Sequence, residues 1–481
     1  EQGKALTPDR PCYVLFRQII ESRERVASTL HAMANLKVLG WLLPEFRPLM
    51  NLAPRNSIHE FTVGYHSLEV VRRLEDMGMG AAESVFQEVY SHLDYPAALL
   101  LAGLLHDAGK VVTKGPHSET GAEMAPAVGL RLDLPPHQIQ KIQSLILNHL
   151  VMAEVAQFRD LTRDESIKEL LKVVPDQESL DQLFLLTYAD GASVGNHIWT
   201  PVQTRFLEEL YHRASHMLAQ PETETGQFDL RRYQRRVTQA LRAHNFAPEA
   251  VARHVELMPA SYLLNTPSET MALHIEMLEK VQETGMPIVE FRDDRVGHFT
   301  ELIICVVEDP RPGLLSKIAG CLWASDLSVY SAQVFTRDGD PRIAIDTLWI
   351  DFHGRTLDPH HKRRLELDLI KVLSNDTPVR ELLASHGKER DLNAPLREPD
   401  VAGRRSEDHI ICEVHAGDQR GLLYRITRTI SELGWDIHSA RINGGRSRAR
   451  DVFYVNERTG LSSEEAASQL RARLMAQTAA S

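Results

Sequence analysis

Apolar positions recur at helical spacing through the first part of the chain and change to strand-like runs in the last. Residues 1–55 contain CYVLFRQIIESRERVASTLHAMANLKVLGWLLPEF, a stretch that predicts helices packing against the segment after residue 55. In FTVGYHSLEVVRRL, Val63, Leu68, Val71 and Leu74 fall near the helical period and predict an amphipathic helix. The runs AALLLAGLL, KIQSLILNHLVM and LDQLFLLTYAD read as interior helices of the stretch 56–220. Residues 221–295 are mixed: a polar PETETGQ, a basic RRYQRRVTQALRAH and MPASYLLNTPSETMALHIEMLEKV, together expected to form a helical connector. From about 298 the texture shifts to short β-branched runs (LIICVV, AIDTLWID, IICEV, DVFYV), and α+β structure is expected.

The last part repeats itself. DPRPGLLSKIAGCLWASDLSVYSAQVFT at 309–336 and GDQRGLLYRITRTISELGWDIHSARING at 417–444 share a register without a gap. Gly313-Leu314-Leu315 aligns with Gly421-Leu422-Leu423, and Ile318 aligns with Ile426. Each copy is preceded by one strand-like run and followed by another, which makes most of a βαββαβ unit. At each strand–Gly–helix turn a glycine lets a ligand approach backbone amides at a helix start, where a carboxylate is favoured. The alternative is a tight turn needed only for packing. Asp309, Gly313 and Leu314, with Asp418, Gly421 and Leu422, are the candidate ligand-binding residues.

Composition alters this picture little. The chain has 481 residues, 43% hydrophobic and 25% charged, enough for three or four domains. A net charge of −12 and the lack of a basic block argue against nucleic acid as partner. The basic helix has no aromatic interleaving and reads as a solvated face. No apolar run approaches the roughly 18–20 residues of a membrane span. Cys12, Cys305, Cys321 and Cys412 show no CxxC spacing, which points to a reducing, cytoplasmic location. The chain begins at Glu1 rather than Met, which suggests a fragment or a trimmed chain.

The candidate chemistry lies in the helical part. His106-Asp107 closes the run AALLLAGLL, and such a pair is costly to bury unless it binds something. Imidazole with carboxylate suits Mn, Fe, Co or Zn better than Ca. His66 lies upstream, His117 enters a later helix, His149 sits in KIQSLILNHLVM, and Asp190 ends LDQLFLLTYAD. Each of these lies on or beside a segment that otherwise reads as core. Taken singly, any of the 22 histidines is an ordinary core or surface residue. His31, His92, His212 and His216 stand in charged stretches and are read that way.

The ordered array His66, His106-Asp107, His117, His149 and Asp190 resembles the HD phosphohydrolase superfamily, an all-helical fold with a metal site in its bundle. His117 and His149 match the form that holds two ions. The duplicated segment resembles a pair of ACT domains, regulatory ferredoxin-like modules that often bind amino acids at the glycine turn. The combination is similar to the bifunctional uridylyltransferase/uridylyl-removing enzymes of nitrogen regulation. Local stretches that carry this are ILNHLVMAEVAQFRDLTRDESI, LLTYADGASVGNHIWTPVQTRFLEELY and IHEFTVGYHSLEVV, although Gly64-Tyr65 stand where acidic residues are usual and KGPHSETGA replaces a more Gly- and Asp-rich loop.

The resemblance implies an HD domain at 56–220 and ACT domains at 298–375 and 407–478. It implies one or two divalent ions, Mn or Mg, with Asp107 bridging, His66, His106 and Asp190 on one ion, and His117 and His149 on the other. It further implies hydrolysis of the bond between UMP and a tyrosine of the PII signal protein, under glutamine control. Lys110 either offers positive charge to a phosphate or is simply solvated. That family also carries a nucleotidyltransferase domain with an Asp-x-Asp pair. Here Asp338-Gly339-Asp340 reads as a β-turn, and transferase activity is expected to be absent from this chain. An HD hydrolase of small nucleotides and a non-catalytic amino-acid sensor are the alternatives.

Overall fold

The computed structural model describes residues 7–22, 24–53, 62–80, 85–112, 115–159, 161, 164–194, 199, 201–219, 230–241, 244, 246–259, 262–263, 266–294, 299–309, 311–388, 396, 399–405, 409–417, 419–442, 448–456 and 460–476. The chain divides into two compact units, Glu1–Phe228 and Asp229–Ser481.

The first unit is helical throughout its described residues. The helices are α1 (Arg10–Glu21), α2 (Val26–Asn35), α3 (Val38–Leu42), α4 (Val63–Gly78), α5 (Val85–Ser91), α6 (Pro96–Leu105), α7 (His117–Arg131), α8 (Pro136–Asn148), α9 (Val151–Phe158), α10 (Asp164–Leu171), α11 (Gln177–Val194) and α12 (Pro201–Ala219). At the centre stands α6. Pro96 starts it with its missing N–H at an orphan position, and every residue from Pro96 to Leu105 is buried. A helix apolar all round has no solvent face, and α6 accordingly packs against α4, α8 and α11. Gly103 permits the close approach of α4, since a Cβ there would lie 2.9 Å from Leu74 Cδ1.

The start of α2 lacks a capping side chain of its own, because Arg25 holds a left-handed conformation. Glu75 of α4 supplies it from afar: the buried carboxylate accepts from the Val26 and Ala27 amides at 2.7 and 3.0 Å. This ties the N-terminal helices to the helix that carries His66.

The second unit opens with α13 (Leu230–Leu241), α14 (Pro248–Leu257) and α15 (Ser268–Thr284). Two four-stranded antiparallel sheets come next. The first contains β1 (Ile288–Asp294), β2 (Phe299–Val307), β3 (Ser328–Arg337) and β4 (Ile343–Asp351) in the order β1-β2-β4-β3, with α16 (Leu314–Ala324), α17 (Pro359–Leu373) and α18 (Val379–Ser385). The second contains β5 (Asp400–Arg405), β6 (Ile410–Gly417), β7 (Asp436–Arg441) and β8 (Arg448–Asn456) in the order β5-β6-β8-β7, with α19 (Leu422–Glu432) and α20 (Ser463–Ala476). Even the bulges correspond, at Val329/Ser331 and Ile437/Ser439.

One expectation is corrected. Each unit runs ββαββα along the chain, not βαββαβ, because the outer strand next to β2 or β6 comes from the segment before it. That strand, β1 in the first copy, lies inside the stretch 221–295 expected to be helical. A strand entering by an antiparallel hairpin fills the same edge as one arriving after the second helix, so both routes complete a four-stranded sheet.

The strand runs also differ between copies. All nine residues of β4 are buried, because the first sheet is covered on both faces. Ile318, Leu322, Leu365 and Leu369 pack on one face, and Val251, Tyr262, Met271 and Ile275 of the connector helices pack near Cys305, Phe335 and Ile345 on the other. A continuous apolar strand is what a doubly covered sheet requires.

Candidate metal centre

The six array residues come together in the first unit. His106 is the C-cap of the interior helix α6, and Asp107 comes after it, before a short turn Ala108–Val111. His66 comes from α4, His117 opens α7, His149 caps the C-terminal end of α8, and Asp190 lies within α11. His66, His106, Asp107 and His149 are buried, while His117 is part-exposed.

Two groups of three form, each with its ligand atoms within 4.8 Å of one another. One comprises His66, His106 and Asp190, and the other Asp107, His117 and His149. Within the first, Asp190 Oδ1 lies 2.9 Å from His66 Nε2 and 3.5 Å from His106 Nε2. Asp107 links the groups, with Oδ2 at 3.3 Å from His106 Nε2 and Oδ1 at 3.4 Å from His117 Nε2. His117 and His149 face each other through their Nε2 atoms at 3.3 Å.

Backbone carbonyls set the orientation of two of these rings. Nδ1 of His106 lies 2.8 Å from the Gly103 carbonyl, and Nδ1 of His149 lies 2.7 Å from that of Ile146. A carbonyl can only accept, so each Nδ1 carries a proton and donates it, which leaves Nε2 as the nitrogen that faces inward. The inward Nε2 atoms and two carboxylates then converge on one space, which calls for positive charge.

The electrostatics express the same demand. Burial works against a charged His106, but Asp107 and Asp190 outweigh it and raise its pKa to about 10. Burial likewise would raise Asp107, yet the His106 charge and Lys110 hold its carboxyl far below the usual range. Asp190 is also held low against its burial, by His106 and His66. His149 has no such carboxylate at hydrogen-bonding distance, and burial takes it down to about 4. Burial also lowers His117. Without a bound cation, a proton on His106 has to supply the counter-charge. The donor set fits divalent metal: four imidazoles and two carboxylates, in two adjacent triads that Asp107 links.

Lys110 sits 2.5 Å from Asp107 Oδ2 with its side chain one-third exposed, so it is paired rather than merely solvated. Two glycines that sequence reasoning passed over hold the geometry. A Cβ on Gly109 would lie 1.9 Å from the His117 carbonyl oxygen and 2.7 Å from the Gly121 amide, so the turn after Asp107 meets α7 backbone to backbone. A Cβ on Gly191, next to Asp190, would fall 2.0 Å from the Trp199 ring. A glycine close to each ligand was visible in the sequence, but the partner it meets was not.

The other candidate residues lie in the second unit. Gly313 and Gly421 are the N-caps of α16 and α19, with φ of 139° and 74°, so both turns use conformations that favour glycine. Leu314 and Leu422 begin the two helices. Asp309 accepts from the Arg311 amide at 3.0 Å. Asp418 lies outside the described residues. Gly339 has φ of 136° within the β3–β4 connection, in keeping with a turn at Asp338-Gly339-Asp340. No helix among the described residues is long and apolar enough to cross a membrane.

Comparison with known proteins adds family information. The model of the HD domain matches residues 63–183. The chain is 30% identical over 436 residues to the bifunctional uridylyltransferase/uridylyl-removing enzyme of Gluconobacter oxydans (strain 621H), a match covering 88% of this chain and 45% of the relative. It is 29% identical to the enzyme of that name from Azospirillum brasilense, covering 98% of this chain and 51% of the relative. For Rhodopseudomonas palustris (strain ATCC BAA-98 / CGA009) the identity is 31%, over 93% of this chain and 48% of the relative. The chain thus spans about half the length of the curated relatives it matches.

Proposed function

We propose that this chain, which carries an HD domain and resembles uridylyl-removing enzymes along most of its length, is a metal-dependent phosphodiesterase that releases UMP from uridylylated PII signal protein. The observation that carries the reading is the pair of adjacent triads in the HD domain, with Asp107 of one lying 3.3 Å from His106 of the other. His66, His106 and Asp190 would hold one ion, His117 and His149 the other, and Asp107 would bridge them. When bound, divalent cations such as Mn or Mg supply Lewis-acid polarisation of a phosphoryl oxygen and lower the pKa of water.

The protein residues supply position and charge. Gly103 and Ile146 carbonyls keep His106 and His149 in one tautomer, so their Nε2 atoms face the reacting space. Asp107 and Asp190 place negative charge there, which a bound divalent cation would balance in place of a proton on His106. Lys110, paired with Asp107 and one-third exposed, would offer its charge to a non-bridging phosphate oxygen. In the reaction, water oxygen bonds to phosphorus, the bond from phosphorus to the tyrosine oxygen breaks, and the phenolate takes a proton. None of the six ligands is suited to give that proton, so solvent is its source.

The two sheet units are read as ACT domains, residues 298–375 and 407–478 with β1 and β5 added as edge strands. Glutamine would bind at a glycine turn, its α-carboxylate on the amides after Gly313 or Gly421 and its ammonium on Asp309 or Asp418, and would raise uridylyl removal by favouring one domain arrangement. The test is to incubate purified chain with uridylylated PII and Mn, with and without glutamine, and to measure UMP. Release that increases with glutamine supports the whole reading. Hydrolysis of free nucleotides with PII untouched supports the small-nucleotide alternative.

A further inference from the structure

The two glycine turns are related by the internal repeat but do not offer the same space. Trp323 stands ten residues after Gly313, and Ser431 stands the same interval after Gly421. Helices α16 and α19 pack together, so each turn meets the far end of the other copy's helix. At Gly421 a Cβ would stand 2.6, 2.7 and 2.9 Å from Cε2, Cδ2 and Cε3 of Trp323. At Gly313 its nearest neighbours would be Ser431 Oγ and Cβ, at 3.8 and 3.9 Å. The indole thus lies against the second turn, whereas a hydroxymethyl group faces the first.

A second difference concerns charge. Lys317 and Arg425 occupy equivalent positions in the first turns of α16 and α19, at the positive ends of these helices, where a cation is disfavoured unless an anion shares the space. The Lys317 side chain is 25% exposed; its Nζ donates to Asn375 Oδ1 at 2.7 Å and lies 3.8 Å from Asp309 Oδ2. Arg425 is only 2% exposed, and its Nε and Nη2 have no hydrogen-bond partner among the described residues. The first turn therefore presents a part-exposed cation beside a part-exposed carboxylate, a pair complementary to a zwitterion. At the second turn the cation is shut away. Arg420 Nη1, next to Gly421, comes within 3.9 Å of Asp326 on the segment after Trp323.

We propose that Trp323 is a built-in plug of the second turn, so that the chain takes a single α-amino acid, at the first turn between Asp309, Gly313 and Lys317. This rests on the reading that the repeats sense an amino acid, and it names which of the two equivalent turns does so. Lys317 and the amides after Gly313 would take the carboxylate, and Asp309 the ammonium. Ser431 leaves room for the side chain.

Calorimetric titration of the whole chain with glutamine tests it. The expected stoichiometry is one per chain in the wild type, none in Ser431→Trp and two in Trp323→Ser. The Ser431→Trp arm adds a side chain without emptying a core position, so it remains decisive if Trp323→Ser fails to fold by circular dichroism. Two equivalents in the wild type, or undiminished binding in Ser431→Trp, overturn the plug while leaving the sensing role standing. No heat of binding in the wild type or in either folded variant overturns the sensing role, and the plug with it.

Discussion

Two sets of histidines in this protein, most of them buried, look alike in sequence and differ in what they face. In the first unit, four imidazoles converge on Asp107 and Asp190. In the second, His254 Nε2 and His274 Nδ1 each lie 2.9 Å from one hydroxyl, that of Tyr262, and all three side chains are buried against the first sheet. The hydroxyl has one proton to donate, so one imidazole accepts it and the other donates its own N–H. That network is neutral. It needs no ion, and burial carries His254 down to about 3, with Arg337 adding to the effect. His106, equally buried, is taken up to about 10 because two carboxylates face it. Burial of a histidine therefore says little about ligation; the charge opposite its inward nitrogen decides.

The contrast predicts its largest effect at Asp107. Asp107→Ala removes the carboxylate that links the triads, and UMP release should fall by more than about 1,000-fold, or about 4 kcal/mol of barrier. Bound metal should fall with it while helical circular dichroism is kept. Full metal content by elemental analysis, with normal turnover, would show that the six residues are not a metal site.

A smaller effect is expected from acid on the second unit. The folded pKa of His254 lies below its unfolded value of about 6.5, so between about pH 6.5 and 3 the unfolded chain binds a proton that the folded unit refuses. Stability contributed by this group is complete above pH 6.5 and is lost as pH falls, by up to a few kcal/mol near pH 3. His254→Phe should flatten that part of the urea-denaturation profile. An unchanged slope would mean that the imidazole is not held neutral by its surroundings.

The smallest effect sharpens the division between the two sets. Tyr262→Phe strands two imidazole nitrogens in the core and should cost about 1–3 kcal/mol of stability in the second unit. Metal content should be unchanged. Loss of metal from this variant would contradict the separation of a neutral structural network from an ion-binding one.

Much of this was legible along the chain, for local reasons. A helix without a solvent face shows as an unbroken apolar run, so α6 and the cost of His106-Asp107 at its end could be read from AALLLAGLL. A turn that needs positive φ shows as glycine, and duplication made Gly313 and Gly421 stand out together. The source of the edge strands was harder to see, because β1 and β5 are completed as sheet members only by pairing with β2 and β6. His254 and His274 gave no signal that set them apart from ligands or surface residues.

The sequence by itself determined the periodicities, the order of the six candidate ligands and the repeat, since each depends on residues near one another or on simple recurrence. Only the tertiary structure decided which nitrogens face carboxylates, which hydroxyl lies between His254 and His274, and which glycine turn carries an indole against it. Those outcomes depend on groups far apart in the chain meeting within a few ångströms. His66 and Asp190 stand 124 residues apart yet meet at 2.9 Å. Trp323 and Gly421 likewise come from different copies of the repeat, and the packing of α16 against α19 brings the ring onto the turn. Position along the chain can nominate such groups, but the direction and distance of their approach are properties of the packed interior.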